Sequence, residues 1–113
     1  MRLINRTRGT VVAPRLRLAE TFFSRFRGLL GTSSLPEGEA LLIRPCNSIH
    51  MFGMRYAIDV AFASPTGQVL KTVLSLEPGR MASCKGVSFV VEMPCGTLTH
   101  TDTDVGDILA IVE

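Results

Sequence analysis

The feature of this sequence that most limits its fold is the shortness of its apolar runs. Residues 40–43 and 108–112 are apolar runs of strand length, and residues 57–64 carry apolar side chains at every second position. None of these runs approaches the ~20 apolar residues that a membrane-spanning helix needs. Glycines and prolines separate them, so the pattern predicts several short strands joined by turns.

The local patterns assign most of the chain to strands. Apolar and polar residues alternate over residues 12–19, and a tight turn at residues 65–67 predicts a hairpin. Thr21 is suited to cap one short helix, which Gly31 would end. The apolar residues at helical spacing between them are Phe22, Phe23, Phe26, Leu29 and Leu30. Further strands are expected at residues 39–44, 57–64, 68–76, 87–93 and 107–112.

The predicted fold class is therefore mainly β, or α+β by strict count. Short strands with frequent turns favour a small antiparallel β-barrel or sandwich-like domain with one short helix. A chain of 113 residues suits a single hydrophobic core, so residues 1–113 are expected to form one domain. With 46% hydrophobic and 19% charged residues, the composition excludes a disordered chain.

The N-terminal segment and the cysteines indicate the compartment. Arg2, Arg6 and Arg8 are not followed by the apolar segment of a secretory signal, so a cytoplasmic location without a membrane anchor is expected. The number of cysteines is odd, so they cannot all pair within one chain. Reduced thiols are expected at Cys46, Cys84 and Cys95.

Charge is distributed unevenly along the chain. Seven arginines lie within the first 27 residues, against the single acid Glu20, whereas residues 86–113 contain five acids and no Lys or Arg. Either the two ends lie side by side as oppositely charged neighbours, which we favour, or the arginines form a basic face for an anionic partner. Nucleic-acid binding is not expected, because the phenylalanines near Arg25 follow the spacing of a helix core.

Several short motifs, in their order and spacing, resemble one known family. They are RFRGLL at residues 25–30, IHMFGM at 49–54, IDVAF at 58–62, GQV at 67–69, VEMPCG at 91–96 and GD at 106–107. Together they cover nearly the whole chain after Thr10 and resemble the domain-of-unknown-function family 192 of bacteria and archaea. The resemblance implies a small β-rich fold and supplies no mechanism.

The candidate functional residues lie in and beside an irregular stretch, residues 46–56. His50 is flanked by Ile49 and Met51, and imidazole suits proton transfer near neutral pH. Asp59 lies on a predicted strand, where a carboxylate needs partners. Asp59 could orient His50 while Arg44 or Arg55 binds an anion. The alternative, which we favour, is that Asp59 and His50 only fix the geometry of the loop through backbone hydrogen bonds.

A metal site is not predicted from the sequence. Cys46 and His50 are four residues apart, and Cys95 and His100 are five apart, but the paired C-x-x-C spacing of zinc sites is missing. The methionines could join soft ligands around copper(I), although core packing is their commoner role. No cofactor is predicted.

The function that this sequence favours is a binding or accessory module with its site around residues 46–56. Arg44, Met51, Met54 and Arg55 would contact the ligand, which is either a small molecule or a protein, and an anionic one if the arginines take part. The first alternative is a hydrolase-like enzyme with His50 as general base and Asp59 as its orienter. The second is a structural or homodimeric protein, so the chain is expected as a monomer or a homodimer.

Overall fold

The computed structural model describes residues 1–113, except for the side chains of Phe22 and Phe26. The described residues form ten strands and two short helices. In chain order these are β1 (Arg2–Asn5), β2 (Thr10–Ala13), β3 (Arg15–Ala19), α1 (Phe22–Arg27), β4 (Glu39–Ile43), β5 (Ser48–His50), β6 (Ile58–Ala63), β7 (Val69–Leu76), β8 (Met81–Ser83), β9 (Phe89–Pro94), α2 (Thr97–His100) and β10 (Leu109–Val112).

A five-stranded sheet in the order β3-β4-β9-β6-β7 forms the centre of the fold. Its pairs are antiparallel except β3 and β4, which run parallel. A parallel pair needs a long crossover, and the segment that contains α1 supplies it. A three-stranded sheet in the order β10-β1-β2 and a two-stranded sheet of β5 and β8 complete the fold. The architecture is therefore mostly β and sandwich-like.

The central sheet is apolar on both faces. Successive side chains of a strand point to opposite faces, so β9 sends Val91 and Met93 to one face and Val90 to the other. Val91 and Met93 pack in a cluster with Leu3 of β1. Val90 packs in a second cluster, which includes Ile49 of β5. Because both faces are covered, a charged side chain on β9 is desolvated whichever way it points.

Helix α1 begins where its cap residue predicts and ends earlier than expected. Ser24 donates its backbone N–H to the Thr21 hydroxyl at 3.0 Å, and the Ser24 side chain in turn accepts from the Thr21 N–H. The helix ends at Arg27, because Gly28 follows with a positive φ of 50°. Phe23, expected in the core, is 71% exposed. The expected burial of Phe22 and Phe26 lies outside the described side chains.

The mainly β prediction is confirmed, but the arrangement differs in several respects, one of which is the parallel pairing of β3 and β4 in a fold expected to be antiparallel. The sheets do not close into a barrel, so the sandwich-like alternative applies. The strand expected over residues 12–19 is two strands in two different sheets, because Pro14 has no backbone N–H for a ladder at the crossing point. A second short helix, α2, follows β9. Among the described residues, no helix has the length and apolarity to cross a membrane.

The two chain ends lie side by side. Strand β1 pairs antiparallel with β10, and Arg8 contacts the buried Asp107 at 3.2 Å. Asp107 also accepts hydrogen bonds from Asn5 at 3.0 Å and from the backbone N–H of Asp104 at 3.0 Å. The acidic C-terminal part and the arginine-rich N-terminal part therefore meet at this point, the arrangement favoured from the charge pattern.

Candidate functional site

His50 lies at the end of β5 with its side chain exposed. Its imidazole stacks on the ring of Phe52, with the ring centroids 5.2 Å apart and the planes at 27°. Phe52 is itself 53% exposed. The β5–β8 register places His50 opposite the exposed Met81, so these three side chains form an exposed aromatic and apolar rim.

Asp59 is buried and held by backbone groups. Its Oδ1 accepts from the N–H of Ser75 at 3.0 Å, and its Oδ2 accepts from Gly96 at 3.0 Å and Leu98 at 3.1 Å. These bonds join β6 to a positive-φ residue of β7 and to the start of α2. Among the described residues, no hydrogen bond joins Asp59 to His50. The catalytic pairing of the two stays a prediction, and the contacts of Asp59 favour a structural role.

Neither candidate arginine lines the cavity that the other candidates share. Arg44 donates to Glu20 at 2.8 Å, and both side chains of this ion pair are substantially exposed. An exposed pair of this kind contributes little to stability. Arg55 is exposed and does not line a described cavity with the other candidates. His50, Met51 and Met54, in contrast, share one cavity.

This cavity lies between α1 and the loop of residues 46–56 and has a volume of about 170 Å³. At about 30 Å³ for each water of the liquid, the volume corresponds to five or six waters, roughly. Its apolar wall consists of Leu29, Leu30, Ile43, Ile49, Met51 and Met54. Its polar side chains are Arg25, Arg27, Cys46, Ser48, His50 and Glu92. An apolar wall with a few convergent polar groups is the usual composition of a ligand site.

Glu92 is the polar residue of this cavity with the greatest burial. It lies in the middle of β9, opposite Leu41 of β4 and Val60 of β6, and is 6% exposed. A Cβ built on Gly28 would be 3.8 Å from its Oε1, so the glycine that ends α1 covers the carboxylate closely. No hydrogen bond or ion pair of the described residues involves the Glu92 side chain. Burial raises the pKa of Glu92 to about 7.

A guanidinium and a thiol complete the polar part of the cavity. Arg25 donates from Nη1 to the carbonyl of Pro45 at 3.1 Å, while its Nε is buried and has no partner among the described residues. The Cys46 thiol donates to the carbonyl of Ser48 at 3.3 Å. Burial and the nearby Glu92 raise the pKa of Cys46, against the lowering effects of the Ser48 contact and Arg25. Cys46 is therefore a neutral thiol rather than a reactive thiolate.

A second, larger cavity of about 440 Å³ contains the other cysteine–histidine pair. Cys95, His100 and Glu37 line it, and all three are exposed. The hydroxyl of Thr101, also in its wall, is hydrogen-bonded to the Thr97 carbonyl and to Thr103. The buried Thr101 hydroxyl already has hydrogen-bond partners within the protein, so it gives no reason to expect a ligand in this cavity.

The candidate metal ligands are divided between the two cavities. Cys46 and His50 line the first, whereas Cys95 and His100 line the second. In the described part of the chain, no three His, Cys, Asp or Glu side chains gather closely enough to hold an ion.

Glu92 is the residue of this site that reasoning from the sequence missed. The signal was present: a charged residue stands between Val90, Val91 and Met93 on a strand that was correctly expected. Asp59, which was singled out as a charged residue on a strand, has three partners, whereas Glu92, in an equivalent position, has none. Sequence cannot distinguish a buried carboxylate with partners from one without, because the partners of Asp59 are backbone groups of distant segments.

Comparisons with known proteins agree on one family. The family model for DUF192, described as "Uncharacterized ACR", matches residues 3–111. A UPF0127 protein of Thermococcus sibiricus is 34% identical over 110 residues, which are 93% of this chain and 71% of that protein. A UPF0127 protein of Pyrococcus furiosus is 30% identical over 113 residues, 95% of both chains.

A solved structure supports the fold. The crystal structure of a protein of unknown function from Novosphingobium aromaticivorans superposes with a TM-score of 0.84 at 20% identity, covering 96% of this chain and 82% of the other. At this identity the likeness concerns the fold alone.

Proposed function

We propose that this chain, which belongs to the DUF192 family, is a binding module whose ligand enters the cavity between α1 and residues 46–56. The ligand is a small, partly apolar molecule with a positively charged hydrogen-bond donor that contacts Glu92. The single observation that carries this proposal is the Glu92 carboxylate, which is 6% exposed, faces the cavity and has no described partner.

Electrostatics favours a cationic group on the ligand. An ionised carboxylate is unfavourable in an apolar environment unless it is paired and hydrogen-bonded. In the free protein the Glu92 carboxyl avoids this penalty by holding a proton to about pH 7. A ligand ammonium placed against Glu92 would supply both the opposite charge and the hydrogen bonds, so it would favour the ionised form.

The apolar wall supports a ligand with hydrocarbon beside its charged group. Met51 and Met54 come from the loop that the sequence singled out, and Leu29, just after α1, and Ile43 of β4 line the same cavity. Methionine side chains adapt to ligands of different shapes. The stacked rings of His50 and Phe52 lie at the rim and would cover the ligand from the solvent side.

A titration with protonated propylamine, followed by amide NMR, tests the proposal. Propylamine is small, so a Kd in about the millimolar range is expected. Saturable shifts should be confined to residues that line the cavity, such as Gly28, His50 and Met54. The affinity should rise with pH up to about 7, where the Glu92 carboxylate forms, and stay level above it.

Two substitutions and a matched control separate Glu92 from general charge effects. Glu92→Gln and Glu92→Leu should each weaken propylamine binding by at least about tenfold, which corresponds to about 1.4 kcal/mol. Glu77→Gln removes an exposed carboxylate and should leave the binding unchanged. Equal affinity in Glu92→Leu, or shifts distributed over the acidic C-terminal surface, would contradict the proposal.

A further inference from the structure

Another cavity, the β3–α1 cavity, lies beside the edge of the central sheet and has a volume of about 320 Å³. It shares only Arg27 and Gly28 with the cavity that contains Glu92. At about 30 Å³ for each water of the liquid, it has room for roughly ten waters, enough for a ligand of its own. Its wall consists of Arg17, Leu18, Ala19, Ser24, Arg27, Gly28, Thr32 and Leu41.

The strand register explains why Arg17 reaches this cavity. Arg17 of β3 lies opposite Leu41 of β4, which in turn lies opposite Glu92 of β9. Residues paired directly across neighbouring strands point to the same face of a sheet, so these three side chains lie on the face that Gly28 covers at Glu92. Strand β3 is at the edge of the sheet, and Arg27, from the last turn of α1, lines the same cavity. The fold therefore brings a guanidinium group of β3 and one of α1 to a single cavity.

Arg17 and Arg27 have no acidic partner in the described part of the chain. Both residues are exposed, and no hydrogen bond or ion pair of the described residues involves either guanidinium group. The described wall of the cavity contains no Asp or Glu. Glu92, two strands away on the same face, is 6% exposed and lies beneath Gly28. Two positive charges therefore line one cavity whose wall supplies no negative charge.

The hydroxyl groups of the wall are already used within the protein. Ser24 donates from Oγ to the Thr21 carbonyl at 3.1 Å, and Thr32 donates from Oγ1 to the Leu29 carbonyl at 2.6 Å. The floor between the arginines and the hydroxyl groups is apolar, because Leu41 is 4% exposed and lines the cavity. A ligand in this cavity would therefore meet two cationic hydrogen-bond donors and an apolar surface.

We propose that the β3–α1 cavity binds a phosphate monoester, with the phosphoryl group between Arg17 and Arg27 and the organic group on Leu41. Two guanidinium groups favour a doubly charged oxyanion over a singly charged carboxylate, and their planar forks match the geometry of phosphate oxygens. The apolar floor and the space beyond a bare oxyanion suit the organic part of the ester. This site is separate from the proposed function, because it takes an anion and Arg17 does not line the Glu92 cavity.

The experiment is an amide NMR titration with propyl phosphate, inorganic phosphate and propionate at low salt and about pH 8. At this pH a phosphate monoester carries two negative charges, because its second pKa is about 6. Propyl phosphate should bind with a Kd in about the millimolar range, and its saturable shifts should be confined to wall residues such as Leu18, Ser24 and Thr32. Propionate should bind at least about tenfold more weakly, and inorganic phosphate about threefold more weakly, since it lacks the organic group.

A short peptide with one phosphoserine between alanines identifies the source of the phosphoryl group. Binding about tenfold weaker than that of propyl phosphate assigns the cavity to a small-molecule ester. Binding tighter than that of propyl phosphate assigns it to a phosphorylated protein. Both results support a phosphoryl site.

Substitutions of single arginines test the two donors. Arg17→Gln and Arg27→Gln should each weaken propyl phosphate binding by at least about tenfold. Arg17→Lys keeps the charge and loses the planar fork, so about threefold weaker binding is expected. Arg6→Gln removes another exposed arginine of the N-terminal part, one outside the cavity wall, and should leave the binding unchanged. Circular dichroism reports whether each variant keeps the fold.

Three results would overturn the phosphoryl site. They are the absence of saturable shifts in the cavity, equal affinities for propionate and propyl phosphate, and equal losses of affinity in Arg6→Gln and Arg17→Gln. The last of these would show a general attraction of anions to the basic N-terminal part.

The phosphoryl site and the Glu92 site are tested independently. Arg17→Gln should keep propylamine binding, and Glu92→Gln should keep propyl phosphate binding, each within about threefold. Loss of propylamine binding at Glu92 would leave the phosphoryl site standing, and loss of propyl phosphate binding would leave the Glu92 site standing.

Discussion

The pH dependence of stability should reveal the buried Glu92 directly. The perturbation is Glu92→Gln, which keeps the shape of the side chain and removes its titration. Burial raises the pKa of Glu92 from its ordinary value of 4.5 to about 7. Between these two values the folded chain holds a proton that the unfolded chain has released, so the free energy of unfolding falls as pH rises through this window. Above about pH 7 both states are ionised and the effect is constant.

The magnitude follows from the two pKa values. At about 1.36 kcal/mol for each unit of pKa, the difference between 4.5 and about 7 corresponds to about 3 kcal/mol over the whole window. Because the unfolded state is already mostly ionised at about pH 5, about 2.5 kcal/mol of this remains between about pH 5 and about pH 8. Glu92 is 6% exposed, so solvent screens this effect little.

The assay is urea unfolding of three proteins at about pH 5 and about pH 8. The wild type should lose about 2.5 kcal/mol more than Glu92→Gln between the two conditions. Glu77→Gln, which removes an exposed carboxylate, should follow the wild type. If the wild type and Glu92→Gln change in parallel, within about 0.5 kcal/mol, Glu92 is not a buried, unpaired carboxyl and the reasoning is refuted.

Three further substitutions test the fold, each by urea unfolding against the wild type. Asp59→Ala removes the acceptor of three backbone N–H groups and should destabilise by about 3 kcal/mol or more, and a loss below about 1 kcal/mol would contradict the structural role. Asp107→Asn should cost about 1–3 kcal/mol at neutral pH. Burial raises the pKa of Asp107, but the hydrogen bonds and the ion pair outweigh it and hold that pKa below 3.8. The difference between Asp107→Asn and the wild type should therefore be complete above about pH 4 and vanish as pH falls through the folded-state pKa, whereas a pH-independent difference would contradict this cause. Gly67→Ala should destabilise by about 2 kcal/mol or more, because Gly67 has a φ of 91° and a Cβ would collide with the Leu109 carbonyl, and unchanged stability would show that the turn relaxes.

The strands that the sequence predicted well are those with a strong local pattern. Strand β6 alternates clearly, and the turn before β7 contains Pro65 and Gly67. Strand β1 was missed because Arg2–Asn5 has four residues and no clear pattern, and its pairing with β10 joins opposite ends of the chain. Such pairing depends on tertiary contacts that no local window contains.

The sequence identified only part of the candidate site, because the rest of it depends on tertiary contacts between distant segments. The unusual composition of residues 46–56 identified the loop, and Met51, Met54 and His50 do line the cavity. Glu92 and Arg25 reach the same cavity from β9 and α1, which are far apart in sequence. Only the packing of α1 over the central sheet brings them together. A sequence pattern can show that a charged residue lies among apolar residues on a strand, but it cannot show which side chains of distant segments contact that residue.

Titration of the Glu92 carboxyl by carbon NMR, in the free protein and with saturating propylamine, tests directly whether this carboxyl is buried without a partner and binds the ammonium group. We expect a pKa of about 7 in the free protein and a pKa well below that when the ammonium is bound, because the ion pair favours the carboxylate. A carboxyl that titrates near the ordinary 4.5, with or without propylamine, would show that Glu92 is solvated or already paired, and would contradict the proposed site.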